Sequence, residues 1–518
     1  MSNDSMEIRA FLAVVISITV LLLFQVFFAP SKPPVNKNLG SVKNPQKKQN
    51  TINTSKVKPL PVLKKENKNE KIIIIDTPLY TAAVSSKGAT IKQWTLKKYK
   101  DNKGTNISLT HQSSYVPALA MGLTEKMELK DVVFDINPKQ KRIVLKDKPV
   151  KITFQYQNKG LTIVRIMIFY PDDYRIDVKE EFRGPETYWV ALGEDFGYSG
   201  TNGYRSHIGP VVLKYSDRIE IKPKKLKNSP LVYDEGLKWV AQEDKYFFSS
   251  IVPPKKALAK LWLEHNRIIT AVKLPAGKNS YLVYAGPKEH ERLKKLGVGL
   301  EYIIDFGFFS ILARPLFWIL KFFYKIVGNY GWAIIILTVL TRVPFIPIVN
   351  RGQKSMKKLQ QLQPKLKEIQ QKYKKDPKRM QEEMMKLYKK HKVNPMSGCL
   401  PILIQIPIFF ALYKVLLVAI ELRGAPFMLW IKDLSQKDPY YVLPIVMGLT
   451  MFIQQKMTPT AAETQQQKIM NFLPLIFTFL FLNFPSGLVL YWLVSNILGI
   501  AQQWYVNRKL KLEMSQEG

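Results

Sequence analysis

Residues 331–349 read GWAIIILTVLTRVPFIPIV, an apolar run in which Arg342 is the lone charge. At 1.5 Å per residue the run covers about 28 Å, close to the thickness of bilayer hydrocarbon, so it reads as a membrane-crossing helix. Arg342 stands nine residues before Arg351, the next charge, which places it about 13 Å from that end and near mid-bilayer. A charge at that depth costs at least ~2.5–3.5 kcal/mol unless it is paired or wet. The later apolar runs hold no Asp or Glu, and the polar groups within reach are neutral: Thr338, Thr341, Gln405, Ser495 and Asn496. Thr338, at i−4, shares the helical face of Arg342. An arginine among hydroxyls and amides predicts a hydrated cavity rather than a salt-bridged core. The competing reading, a snorkelling anchor, asks the side chain to reach about 13 Å to the headgroups.

Working outward, further apolar runs lie at 10–29, 399–420, 440–453, 471–484 and 487–501, which makes six transmembrane helices in a multi-pass α-helical membrane protein. Residues 10–29 end in Gln25-Val26-Phe27-Phe28-Ala29-Pro30, without a small-residue cleavage pattern, and read as an uncleaved anchor. The last two runs are short, which implies helices continued into the headgroups or a locally thinned bilayer. Residues 351–398 carry 15 Lys or Arg against 4 acids, whereas 421–438 carry 3 against 3. By the positive-inside rule the first of these loops, and with it both termini, is cytoplasmic. The charges flanking residues 10–29 point the other way, and the longer basic loop outweighs them.

Between the first and second crossings the texture changes. Residues 31–71 hold 11 Lys and 2 Glu with many Pro, Asn, Ser and Gln, and read as a linker. From 72 to 303 short alternating runs rich in Val, Ile, Tyr and Thr, such as ITFQYQNKGLTIVRIMIFY, predict an all-β sandwich, extracytoplasmic by the orientation above. Residues 307–328 are long enough to cross, yet Arg314, Lys321 and Lys325 fall within about 40° on a helical wheel, so segment 304–328 is expected to lie in the outer interface. The core then spans 329–505, with a basic tail at 506–518.

Within the core, Met356, Leu359, Leu362, Leu366, Ile369 and Tyr373 keep a three-four spacing, Asp376-Pro377 marks a turn, and Met380, Met384 and Leu387 resume it. That predicts an antiparallel helical hairpin over 351–397. Its methionines suit adaptable contact with apolar segments, and its lysines suit anionic lipid or ribosomal RNA; equally, the methionines seal the hairpin and the lysines keep it soluble.

Composition sets the outer limits. Lys and Arg total 78 against 40 Asp and Glu, a formal charge of +38 in 518 residues of which 46% are hydrophobic. With the apolar residues clustered in long runs, an anionic membrane surface explains the basicity better than a specific nucleic acid sequence. Cys399 is the lone cysteine, which rules out an intrachain disulfide and any zinc site needing two of this chain's thiolates. No P-loop, dinucleotide loop or nucleophile motif stands out, and no metal or cofactor is expected.

Four stretches, ILTVLTRVPFIP, KVNPMSGCLPILIQIPIFFALYKVL, LRGAPFMLWIKDLSQKDPYYVLPIVMG and QQKIMNFLPLIFTFLFLNFPSGLVLYWLVSN, together resemble the YidC membrane protein insertase family, in its Gram-negative form with a large periplasmic domain. The resemblance implies a hydrophilic groove with its arginine at Arg342 and a groove threonine at Thr338. Gln405, Pro407, Ser495 and Asn496 would line or shape it. It implies a substrate slide at Tyr491 and Trp492, where the second is commonly Tyr. Lys414 departs from the apolar or aromatic residue usual there and can snorkel outward. The periplasmic domain would be a β-supersandwich. The hairpin residues Met356, Leu359, Leu366, Met380 and Met384, with the tail, would contact ribosome and substrate. The implied partners are nascent membrane proteins, the Sec translocon, the ribosome and anionic phospholipids. The implied work is insertion of inner-membrane proteins, alone or with the translocon, and chaperoning of their folding, without covalent chemistry.

The main rival from another class is a secondary transporter holding an anionic solute at Arg342, but the later runs form no obvious paired repeat. A Ser-His, paired-Asp or His-Glu-x-x-His arrangement for an intramembrane protease is absent from the apolar runs.

Overall fold

The computed structural model describes residues 69–516 except 102, 112–113, 159, 200–206, 228, 392, 394–399 and 458–463. The expected N-terminal anchor, nearly all of the expected linker and Cys399 therefore lie outside the described residues. The described chain divides into two compact units after Ile304.

The first unit is a β-sandwich built from strands whose burial alternates residue by residue. Strand Leu161–Phe169 shows it plainly, with every odd-numbered residue buried and every even-numbered one partly exposed. Such a period-two pattern can bury only one face of a pleated strand, so the strands must pack as layers. One sheet has five strands: Ile72–Asp76, Tyr80–Ser85, Thr90–Lys100, Asn106–Ser108 and Arg142–Val144. Its parallel pairing is Ile72–Asp76 beside Arg142–Val144. A twelve-stranded sheet is centred on two long antiparallel strands, Arg175–Gly193 and Arg267–Pro287. Trp94 of the small sheet stacks on Tyr80 at 4.1 Å and donates its indole N–H to the Ala285 carbonyl of the large one at 2.9 Å, which pins the layers together. Residues 69–71, read from sequence as linker, already belong to this edge: the Lys71 N–H donates to Ser86 Oγ at 2.8 Å and Glu70 pairs with Lys92 at 2.6 Å.

A fully buried charge lies inside the large sheet. Arg165, 0% exposed, sits opposite Glu180 on the neighbouring strand and donates to it at 2.6 Å. Its Nη1 also donates to the carbonyls of Ala89 at 2.9 Å and Leu119 at 2.6 Å. Glu180 accepts in addition from the hydroxyls of Tyr188 at 2.6 Å and Tyr281 at 2.8 Å. Burial works against the guanidinium's charge, but the Glu180 carboxylate outweighs it and holds Arg165 above its ordinary range. Burial, then the same carboxylate, pushes both phenols up.

At the sheet edge, hydrogen bonds from Lys97 and then Arg142 hold the Asp76 carboxyl below the usual carboxylate range. A depressed carboxylate stabilises the fold above its unfolded pKa, and that contribution disappears as pH falls through the folded one. Asp76→Asn is thus expected to lower the melting temperature at neutral pH and to converge with the unmodified chain as pH falls through the acid range. A gap that persisted in acid would assign the effect to shape rather than charge.

The second unit is helical. Helices α1 (Ser310–Val327), α2 (Tyr330–Arg342) and α3 (Ile346–Gln361) lead into α4 (Gln363–Lys372) and α5 (Pro377–Lys390), followed by α6 (Leu400–Val418), α7 (Val442–Met457), α8 (Thr464–Phe481) and α9 (Ser486–Gln516). Helix α1 ends on Gly328 at φ +67°, a conformation glycine adopts without strain. Asn329 then starts α2, its side chain accepting from the N–H groups of Gly331 at 2.8 Å and Trp332 at 3.3 Å. Between α2 and α3, Val343–Phe345 is a 3-10 turn rather than a stop, so the helical path continues past Arg342 into the basic segment. Asp376 caps α5 by accepting from the Arg379 N–H at 3.2 Å, with Pro377 at the first helical position, as the turn signal predicted.

Among the described residues, the path Tyr330–Gln361 is the helix long and apolar enough to cross a membrane. Helices α6, α7 and α8, at 19, 16 and 18 residues, are at or below the about 20 that cover hydrocarbon. The short expected runs 471–484 and 487–501 fall in α8 and α9, which extend beyond them, and of the six expected crossings one is clear among the described residues. Helices α7 and α8 approach closely: a Cβ on Gly448 of α7 would lie 1.9 Å from Thr478 Oγ1 of α8. That hydroxyl donates to the Pro474 carbonyl at 2.7 Å. Gly448→Ala is expected to cost about 1–3 kcal/mol through overpacking, read as a lower melting temperature in detergent, and Thr478→Ala should restore it. Equal melting of Gly448→Ala and the unmodified chain would show the contact to be soft.

Candidate functional site

Helix α2 delivers Arg342 against α9, where Nε and Nη2 donate to Ser495 Oγ at 3.2 and 3.0 Å. No carboxylate pairs with it among the described residues, and its side chain is only partly exposed. One turn earlier on the same face of α9, Tyr491 accepts a hydrogen bond from the Gln405 amide of α6. One to two turns later, Gln502 donates to Asn350 Oδ1 of α3 at 2.8 Å. A polar strip thus follows α9 from its second turn to the base of the basic hairpin, contributed by helices otherwise built from aliphatic and aromatic residues. Pro407, two residues beyond Gln405, leaves the Leu403 carbonyl without its helical N–H, adding an acceptor to α6.

Other sequence-derived candidates lie elsewhere. Thr338 is fully buried and donates its hydroxyl to the Ile334 carbonyl of its own helix at 2.7 Å rather than hydrogen-bonding Arg342. Asn496 points to α7, within 3.3 Å of Thr450 Oγ1. Tyr491 is 1% exposed, while Trp492 lies in an aromatic cluster with Phe409 of α6 at 4.6 Å and Phe481 of α8 at 5.1 Å. The two aromatics thus face different surroundings.

In the hairpin, Leu359, Leu362, Leu366 and Val393 form a small core against which Met356 and Met384 pack. These two methionines seal the hairpin, and Met380 is half-buried, whereas Met385, not singled out from sequence, is 47% exposed. The basic stripe on α1 is also divided: Lys321 pairs with Glu421 at 3.6 Å instead of turning to headgroups. Lys414, expected to snorkel, pairs with Asp305 at 3.2 Å. Ion pairs across about a hundred residues leave no periodic trace; the only sequence signal was that each partner is a charge next to an apolar run.

His111 and Ser114 both bond to Asp195, at 3.2 and 2.5 Å, so the carboxylate lies between them and the serine proton goes to the acid rather than to an imidazole base. Among the described residues no cluster of His, Cys, Asp and Glu could hold a metal ion.

Two family profiles divide the chain: the YidC periplasmic domain matches residues 72–319 and the 60Kd inner membrane protein family matches 322–514. A protein of Syntrophus aciditrophicus named membrane protein insertase YidC is 40% identical, with 97% of this chain and 100% of that one covered. One of Geotalea daltonii with the same name is 39% identical over 98% of this chain and 100% of its own. A crystal structure of an active YidC insertase with its first transmembrane domain resolved covers 96% of this chain and 99% of its own, at 19% identity and a TM-score of 0.39.

Proposed function

The chain belongs to the YidC family of membrane protein insertases, with a periplasmic β-sandwich domain and an inner-membrane helical unit, and from that premise we propose that Arg342 receives the translocated segment of its substrates. The substrate is a nascent inner-membrane protein. Its short hydrophilic tail moves along the polar strip of α9 while its apolar segment leaves sideways into lipid. The observation that supports this most is the Arg342 guanidinium held by a neutral hydroxyl, Ser495, with no acidic partner among the described residues. A cation placed so keeps its field for an incoming carboxylate, whereas a salt-bridged arginine would not. Hydroxyls and amides along the strip, and the free carbonyl beside Pro407, lower the cost of moving a polar segment part-way into hydrocarbon. Partitioning of the substrate's apolar segment supplies most of the driving force, with the membrane potential acting on its charges.

We place six crossings with both termini cytoplasmic, the hairpin of α3 to α5 on the ribosome side, and action alone or beside the Sec translocon. Helices α7 and α8, of 16 and 18 residues, fit a bilayer thinned at the groove. Purified protein in liposomes should protect the translocated tail of a single-spanning substrate from added protease, and empty liposomes should not. Equal protection in both would overturn the reading. A solute flux driven by a gradient, without protection, would favour the transporter instead.

A further inference from the structure

The segment joining α6 to α7, residues 419–441, is fastened on three sides. Asn329, at the start of α2, donates to the Phe427 carbonyl at 2.9 Å, and the Phe427 ring occupies the space that a Cβ on Gly331 would fill. At the turn between α8 and α9, the Ser486 N–H donates to the Gln436 carbonyl at 2.7 Å and the Gly487 N–H to that of Leu434 at 3.0 Å. Buried Asp438 accepts from the Trp430 indole at 3.0 Å and from the Leu443 N–H at 2.7 Å, which ties the middle of the segment to the first turn of α7. One turn stands clear of this packing. It closes where the Ile431 N–H donates to the Met428 carbonyl at 3.1 Å, and at its tip Leu429 takes φ +54°, a left-handed conformation that strains a leucine. Leu429 is 78% exposed there and Met428 47%. A fastened segment that holds a strained leucine in the open calls for something to receive it.

The surroundings fit lipid. Phe427 meets Trp332 of α2 edge-on at 5.8 Å, and Trp430 meets Tyr440 at 6.4 Å. Trp332, Tyr440 and, one turn into α7, Ile445 are exposed, so apolar surface continues from the tip onto helices placed in the bilayer above. Asp438 is buried and Asp433 turns onto the Ser435 N–H at 2.8 Å, which leaves Lys432 and Lys437 as the fully exposed charges of residues 424–441. Amphipathic rings and cations around an apolar point match the headgroup region, where rings settle and ammonium groups meet phosphate.

We propose that the turn Met428–Ile431 is a lipid anchor: Met428 and Leu429 enter the leaflet opposite the basic hairpin, with Trp430 and Tyr440 at headgroup level and Lys432 and Lys437 on phosphates. The inference rests on the membrane placement proposed above and adds what this segment does there. Lipid contact offsets the strain at Leu429. Because the same segment covers the turn from which α9 starts, the anchor holds a cap over that end of the polar strip.

The test uses full-length protein with Cys399→Ser and one introduced cysteine, Leu429→Cys or Gln436→Cys, labelled with nitrobenzoxadiazole, in liposomes of phosphatidylethanolamine and phosphatidylglycerol. Gln436, exposed on the same segment, is the aqueous control. Lipids with a nitroxide high on the acyl chain should quench the label at 429 several-fold more than the label at 436, and aqueous iodide several-fold less. Equal quenching at both positions would overturn the proposal. So would shielding of position 429 from nitroxide and iodide alike, which would assign the tip to a protein contact such as a second copy. Met428→Asn with Leu429→Asn removes the apolar tip but keeps a residue that accepts the left-handed conformation. This variant should insert acidic-tailed and neutral-tailed substrates several-fold less well, by the same factor for both, and undiminished insertion would overturn the anchor's role in holding the cap. Quenching is read without substrate, so it is separate from the insertase reading, which fails if liposomes with and without protein protect the tail equally.

Discussion

Arg342→Ala is expected to reduce insertion of a substrate with an acidic translocated tail by roughly tenfold, the equivalent of about 1.4 kcal/mol. Two unit charges about 8 Å apart at an effective dielectric constant near 20 interact by about 2 kcal/mol, so the loss is within what one cation can supply. A substrate with a neutral tail should lose much less. Arg342→Lys keeps the charge but not the fork that meets Ser495 at 3.2 and 3.0 Å, so it should fall between the two. Protease protection in liposomes of matched protein content reads all three. Equal losses for acidic and neutral tails would contradict an electrostatic role and leave Arg342 as a structural group.

The largest effect on stability is expected in the other unit, at the ion pair inside the β-sandwich. Arg165→Met leaves the Glu180 carboxylate buried with only the Tyr188 and Tyr281 hydroxyls, and deprives the Ala89 and Leu119 carbonyls of a donor. Breaking a buried pair on one side costs about 3–5 kcal/mol, because the remaining charge is uncompensated. Arg165→Met combined with Glu180→Met removes both charges and should be milder than the single change, despite altering two core residues. Denaturant unfolding of the detergent-solubilised protein, followed by a signal from the β-unit tryptophans, measures the difference. A double variant as unstable as the sum of its singles would show that shape rather than charge pairing dominates.

The same strand shows how far the sequence could be read. Leu161, Ile163, Met167 and Phe169 announce a buried face by alternation alone, and Arg165 occupies an inward position in that series. Its burial was therefore legible, whereas its partner was not: Glu180 comes from the next strand, and pairing register emerges only once the sheet is assembled. Arg342 was legible for the opposite reason, as a charge where periodicity and length demand hydrocarbon. Ser495 was among the neutral groups named for it, but nothing local distinguished it from Asn496, which one helical step turns toward α7.

Thr338 illustrates a reading that face geometry alone cannot complete. It shares a face with Arg342, yet a threonine in a helix can bond its own i−4 carbonyl, and here it does. The pairs Lys321–Glu421 and Lys414–Asp305 stayed invisible because charge near an apolar boundary fits snorkelling and pairing equally well.

The passage of the substrate's hydrophilic tail along the polar strip of α9 is the central claim, and site-specific photo-crosslinking during insertion tests it most directly. A photoreactive phenylalanine replaces Ser495 in one protein and Phe479, 74% exposed on α8, in another. A stalled substrate carries a unique tag in its translocated tail. The account predicts crosslinks from position 495 to the tagged tail, appearing with insertion and lost once translocation is complete. Crosslinks to that tail from position 479 alone, with position 495 silent throughout, would contradict it and place the tail's path at the lipid face.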